Sequence, residues 1–185
     1  MLRLQSGIEH YEAEQFSAAI EAWRSGLRAF EAEGDTLNQA LLQSNLSLAY
    51  QHLGRLDQAE QAISASLTLL DKLEAEADSP AYLETFAKAL NTQGRLQWTQ
   101  GEVESALESW RSATIAYGQA GHVRGILLSL INQAKALQAQ GLHVQAIEIL
   151  EQQVYQILQQ AHLDPTIKAT GLWHLGNAHR RVGTL

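Results

Sequence analysis

The sequence predicts an all-α chain folded as a solenoid of helical hairpins, and three observations carry that prediction. The first is composition: alanine (27), leucine (29) and glutamine (20) make up 76 of the 185 residues, while proline occurs only at Pro80 and Pro165. All three abundant residues are good helix formers. The second is a duplication, because the chain laid on itself with a shift of 87 residues matches along both halves. Gly7, Ala19, Glu21, Trp23, Arg24, Ser25 and Gly34 recur as Gly94, Ala106, Glu108, Trp110, Arg111, Ser112 and Gly121. Asn45, Ala49, Gln51, Gly54, Gln58 and Ala59 recur as Asn132, Ala136, Gln138, Gly141, Gln145 and Ala146. The third is a shorter period inside each long unit: Ala19, Ala59, Ala106 and Ala146 are spaced 40, 47 and 40 residues apart. The subunit is then a helical hairpin.

Taken in order, the first helices of the hairpins are expected at about 2–14, 36–53, 80–100, 123–140 and 165–182, with second helices filling most of the gaps. Gly54, Gly101 and Gly141 each lie five residues before one of the alanines and end a helix, since glycine takes the left-handed conformation at little cost; Gly183 repeats the signal. Pro80 and Pro165, preceded by Ser79 and Asp164, fit the first helical position behind an N-cap. Four residues after each alanine comes Trp23, Ile63, Trp110 or Leu150, a spacing that sets small and large side chains on one helix face. The last helix, within residues 171–185, carries an apolar stripe of Leu172, Leu175 and Val182. Repeat arrays normally end in a polar cap, so either this helix is the cap or the chain continues beyond Leu185, and continuation is the expectation.

These residues resemble the tetratricopeptide repeat, a helical hairpin with a small-residue and aromatic signature. Residues 45–69 carry the closest match, with Tyr50, Gly54, Leu56, Ala59, Ile63 and Leu67 at the marked positions. The 40- to 47-residue spacing departs from the family's 34 and implies longer helices, as in the extended repeats of kinesin light chains. The run of motifs also resembles arrays in cyanobacterial proteins that carry a CHAT peptidase-like domain. What the resemblance implies is a right-handed α-solenoid, one domain over residues 1–185, with repeats at about 1–34, 36–76, 80–120 and 123–161 and a partial fifth at 165–185.

Composition excludes several functions. The formal charge of −7 repels a phosphate backbone, so no nucleic-acid partner is expected. No stretch is apolar enough for a membrane span. With no cysteine, thiolate chemistry is excluded and redox usage says nothing of compartment; a soluble, cytoplasmic chain is the expectation. There is no GxSxG elbow, phosphate loop, HExxH or calcium loop. His174 and His179 stand five apart, about 140° around a helix, a poor metal pair, and Glu9, Glu12 and Glu14 read as a solvated face. No catalytic residue, metal site or cofactor is expected.

The resemblance also implies which side chains face the concave groove: certain positions on each first helix. Repeat one supplies Leu4, Gln5, Ile8, Tyr11 and Glu12. Repeat two supplies Leu41, Ser44, Asn45, Leu48, Gln51 and His52, and repeat three supplies Lys88, Asn91, Thr92, Arg95, Trp98 and Thr99. Repeat four supplies Leu128, Ile131, Asn132, Lys135, Gln138 and Ala139, and the partial fifth supplies Thr170, Trp173, His174, Asn177, Arg180 and Arg181. The binding set is Asn45, Gln51, Asn91, Arg95, Trp98, Asn132, Lys135, Gln138, Trp173, Asn177 and Arg180. Asparagines can clasp a peptide amide from both sides, or instead bond the neighbouring helix. Trp98 and Trp173 are anchors or packing residues, whereas Trp23 and Trp110 fall at core positions. The groove positions hold five basic residues and one acidic one, so the expected partner is a protein or peptide segment with an acidic portion. Self-association through the last helix is the alternative.

Overall fold

The computed structural model describes residues 2–73, 77–160 and 165–182, and within them the chain is helical with no strand. Four hairpins follow one another: α1 (Leu2–Glu12) with α2 (Phe16–Glu33), α3 (Thr36–His52) with α4 (Leu56–Asp71), and α5 (Pro80–Gln100) with α6 (Val103–Gln119). In the fourth, α7 (Val123–Ala139) pairs with an interrupted helix made of α8 (His143–Glu148), a π-helical segment Ile149–Val154 and α9 (Tyr155–Gln160). A further helix, α10 (Pro165–Val182), packs on this last group. The helices from α2 to α7 are 16 to 21 residues long, which accounts for a repeat longer than 34 residues.

The turns follow the local chemistry. Gly54, Gly101 and Gly141 have φ of 68°, 85° and 77°, a backbone region that side-chain-bearing residues avoid. In each case the next amide donates to the carbonyl five residues back, Arg55 to Tyr50, Glu102 to Gln97 and Leu142 to Leu137, all at 2.9 Å, the bond that closes a Schellman end. Gly34 and Gly121 close the second helices α2 and α6 in the same way. At the other ends, the Ser79 hydroxyl accepts from the Tyr82 amide at 3.2 Å with Pro80 behind it, and the Asp35 carboxylate accepts from the Asn38 amide at 3.0 Å. Asp164 and Gly183 lie outside the described residues.

Between the two layers of helices lies a core built on the small-and-large pairing. Ala19, Ala59, Ala106 and Ala146 are wholly inaccessible, and Trp23, Ile63, Trp110 and Leu150 are no more than 3% exposed. Burying such side chains contributes about 1.5–3 kcal/mol each. The tryptophans demand room: a Cβ at Gly7 would lie 2.1 Å from Trp23 Nε1, and one at Gly94 would lie 2.7 Å from Trp110 Nε1. Each glycine is the notch that lets an indole lie against the first helix. Buried polar contacts fix the stacking between hairpins. Ser44 Oγ donates to Thr92 Oγ1 at 3.2 Å and Gln51 Nε2 to the Thr92 carbonyl at 3.1 Å, tying α3 to α5.

The π-helical segment has a packing rationale. Ala146, Leu150, Val154 and Leu158 are all buried and recur every four residues. In an α-helix such a series drifts about 40° per step. The wider i→i+5 winding between Ile149 and Val154 holds it nearer one face.

Candidate binding groove

Two first helices present matching faces. On α5, Asn91, Arg95 and Trp98 follow an i, i+4, i+7 spacing, and on α7 so do Leu128, Asn132 and Lys135, which in each case is a single helix face. With Leu48 of α3, Thr92 of α5 and the edge of Trp110 from α6, they line a cleft of about 360 Å³. Five of the residues named from the sequence, Asn91, Arg95, Trp98, Asn132 and Lys135, therefore converge on one place. Asn132 Nδ2 donates to Asn91 Oδ1 at 3.5 Å, a long bond spanning adjacent first helices. Trp98 leans on Trp110 with ring centroids 6.1 Å apart and is still 37% exposed. It packs and faces solvent at once.

The cleft is electropositive. Among the described residues, neither Arg95 nor Lys135 has a carboxylate partner. Partial desolvation, and after it the field of Arg95, hold the Lys135 ammonium below its ordinary pKa, so the two cations sense one another with nothing between to neutralise them. Arg95 leans the other way on an imidazole: its guanidinium donates to His52 Nε2 at 2.9 Å, and the Tyr11 hydroxyl lies 2.7 Å from the same atom. Arginine offers no acceptor, so this Nε2 is unprotonated and the ring carries its proton on Nδ1. Phe16 stacks on the ring with centroids 4.3 Å apart. Burial, followed by Arg95, lowers the His52 pKa, with Glu14 opposing.

The remaining positions fall elsewhere. Asn45 and Gln138 are half-buried on α3 and α7. Gln51 is 9% exposed and committed to α5 through its amide nitrogen. Trp173 on α10 is 61% exposed. Arg180 donates to Asn177 Oδ1 within the same helix. The side chains of Thr170, His174, His179 and Arg181 lie outside those described. Lys88 is neutralised, its ammonium 2.6 Å from Glu84, and that contact holds the Glu84 carboxyl below its usual range. The signal was the i, i+4 spacing of the two residues, which the count of groove charges passed over. Trp110, placed in the core by its register, also lines the cleft. No spacing rule announces the bond between His52 and Arg95.

Among the described residues no group of histidines and carboxylates is gathered as a metal site, and no helix is long and apolar enough to cross a membrane. Residues 40–64 and 127–152 match the family model described as tetratricopeptide repeat. No curated protein matches the chain. Among solved structures, the nearly identical TPR-like repeats of a Podosopora anserina kinesin light chain-like protein share 18% identity over 98% of this chain and 86% of that one, with a TM-score of 0.73. A single-site variant of the same protein gives 17% identity, 98% and 85% coverage, and 0.73. BtubC (BKLC) from P. vanneervenii gives 16% identity, coverage of 96% and 70%, and 0.73. At these identities the likeness concerns the fold. None of these findings supports the resemblance to CHAT-domain arrays. Folds of this kind are typically non-catalytic interaction scaffolds, which supports a protein-interaction module in general. Residues 40–64 and 127–152 are thus recognisable in sequence as tetratricopeptide repeats, and the chain as a whole has the fold of a TPR-like α-solenoid.

Proposed function

We propose that the chain is a single non-catalytic repeat domain that binds an extended segment of a partner protein in its groove, and that this segment carries acidic residues. The observation that supports this reading is the pairing of Arg95 and Lys135 in one cleft with no carboxylate of the described chain to answer them. Leu48, Leu128 and the exposed edge of Trp98 supply an apolar wall beside the cations. Asn91 and Asn132 offer amide donors and acceptors to a peptide backbone. Charge-assisted hydrogen bonds contribute about 1.5–3 kcal/mol each, so two of them with an apolar anchor give roughly micromolar binding after ordering costs.

The test is calorimetry with a capped hexapeptide of aspartate and leucine, with its lysine–leucine counterpart as control. Wild type should bind the acidic peptide and ignore the basic one. Arg95→Glu with Lys135→Glu should abolish binding while circular dichroism stays helical; unchanged affinity removes the basic groove from consideration. A second reading, self-association through α10, is favoured by the exposure of Leu172 and Trp173. Sedimentation that depends on concentration in wild type but not in Leu172→Glu would support it.

A further inference from the structure

Four elements meet at His52. Tyr11 reaches it from α1, Glu14 acts on it from the turn that follows, Phe16 stacks on it from α2, and Arg95 bonds it from α5. These include every titratable or charged group found to act on the ring. Arg95 also lines the cleft, so the same guanidinium serves two neighbours: an imidazole at its back and whatever enters the groove at its front.

We propose that His52 is a positioning residue of the groove, which restrains Arg95 while neutral and releases it when protonated, so that an acidic ligand is gripped more tightly as the pH falls. This rests on the reading of the cleft as an acidic-segment site. Neutral Nε2 accepts from Arg95 and from the Tyr11 hydroxyl. An imidazolium has no lone pair to accept with and repels the guanidinium. Protonation thus breaks the bond from Arg95 and reverses the one with Tyr11, whose hydroxyl oxygen then accepts from Nε2–H. The N–H of Arg95 that pointed at His52 is freed, while the guanidinium keeps its bond to the Tyr11 hydroxyl.

The sign follows from linkage. The positive field of Arg95 disfavours a proton on His52. A carboxylate seated against Arg95 and Lys135 cancels that field, so ligand binding raises the affinity of His52 for a proton. Reciprocity then requires that the proton raise the affinity for the ligand by the same factor. A rise of about one pKa unit on binding corresponds to about a tenfold gain in affinity once the pH is below both values. The duplicate unit lacks the device, because Ala139 stands 87 residues beyond His52.

The experiment has a ligand-free and a ligand-bound arm. By NMR, the His52 ring in the free protein should titrate below the ordinary imidazole value of about 6.5, and Arg95→Gln should raise it; no change in that variant overturns the proposal even if no peptide ever binds. In the second arm, affinity for the aspartate–leucine hexapeptide is measured between pH 7.5 and 5.5. Wild type should gain about three- to tenfold. His52→Gln, which keeps an acceptor but cannot take a proton, should lose the gain whatever its affinity at pH 7.5. An equal gain in both proteins overturns the proposal and leaves the groove intact, whereas absence of binding at every pH removes the acidic-segment reading itself.

Discussion

The two halves of the duplicated chain keep the same core pattern and differ in the side chains their first helices carry on the groove side. Trp23 and Trp110 sit on Gly7 and Gly94 alike, and the alanines beside them are equally buried. On the groove side the counterparts diverge: Asn91, Arg95, Trp98 and Lys135 in the second half answer to Leu4, Ile8, Tyr11 and Leu48 in the first. Leu4, Ile8 and Tyr11 pack against the first core, while their counterparts line an open, cationic cleft. Packing between helices tolerates few residue types at few positions. The exposed face of a first helix bears no such constraint, so a repeat fold can change its ligand without changing its frame.

The largest effects should come from the shared core. Trp110→Ala is expected to cost about 3–5 kcal/mol, measured by urea denaturation. Gly94→Ala should cost about 1–3 kcal/mol through overpacking. Although the approach at Gly7 is closer, Gly7→Ala should cost less, because α1 packs chiefly on α2 and can shift, whereas α5 is held by α3, α4 and α6. A larger loss at Gly7 would mean that the terminal hairpin is as firmly held as the central one. A finer asymmetry concerns the indole nitrogens. Trp110 Nε1 donates to the Asn91 carbonyl at 3.3 Å, while Trp23 Nε1 is buried with no partner among the described residues. Trp110→Phe forfeits a bond of about 0.5–1.5 kcal/mol, and Trp23→Phe removes an unsatisfied donor. The first should therefore destabilise more than the second by about 1 kcal/mol.

Remaking the second groove in the image of the first isolates recognition from stability. Arg95→Ile with Lys135→Leu installs the residues found 87 positions earlier and removes two like charges from one cleft. Affinity for the acidic hexapeptide should fall at least tenfold, since two charge-assisted bonds are lost. The thermal midpoint should hold or rise.

Much of this frame was legible in the sequence because its causes are local. A glycine at a fixed distance from a small residue, and a serine ahead of Pro80, set helix ends wherever they occur, and α3, α5 and α7 begin at the expected residues. The π-helical segment was not legible: its cause is the need to keep Ala146, Leu150, Val154 and Leu158 in the core they share with α6 and α7, which is a tertiary demand. Of the eleven positions named from the sequence, five gather in one cleft, and the charge distribution around them was not legible. Lys88 is spent on Glu84, and the tie between His52 and Arg95 joins residues 43 apart whose meeting depends on how two hairpins stack.

The smallest expected effect sharpens the same contrast from the side of stability. The His52 pKa is lowered in the folded chain, first by desolvation and then by Arg95, so the unfolded chain binds more protons than the native one below about pH 6.5. Stability contributed by the neutral ring is present above that value and is lost as the pH falls through the window beneath it. The imidazole is exposed, and solvent screens the effect. The midpoint of wild type should drop between pH 7 and 5 by only a degree or so more than that of His52→Gln. Ala139→His, which places an imidazole at the duplicate position, should not reproduce the difference, because no tyrosine, phenylalanine or arginine stands at the counterparts of Tyr11, Phe16 and Arg95: those are Trp98, Val103 and Val182. Were that variant as acid-sensitive as wild type, the effect would belong to any histidine on the trough, and the cluster around His52 would have no special part in it.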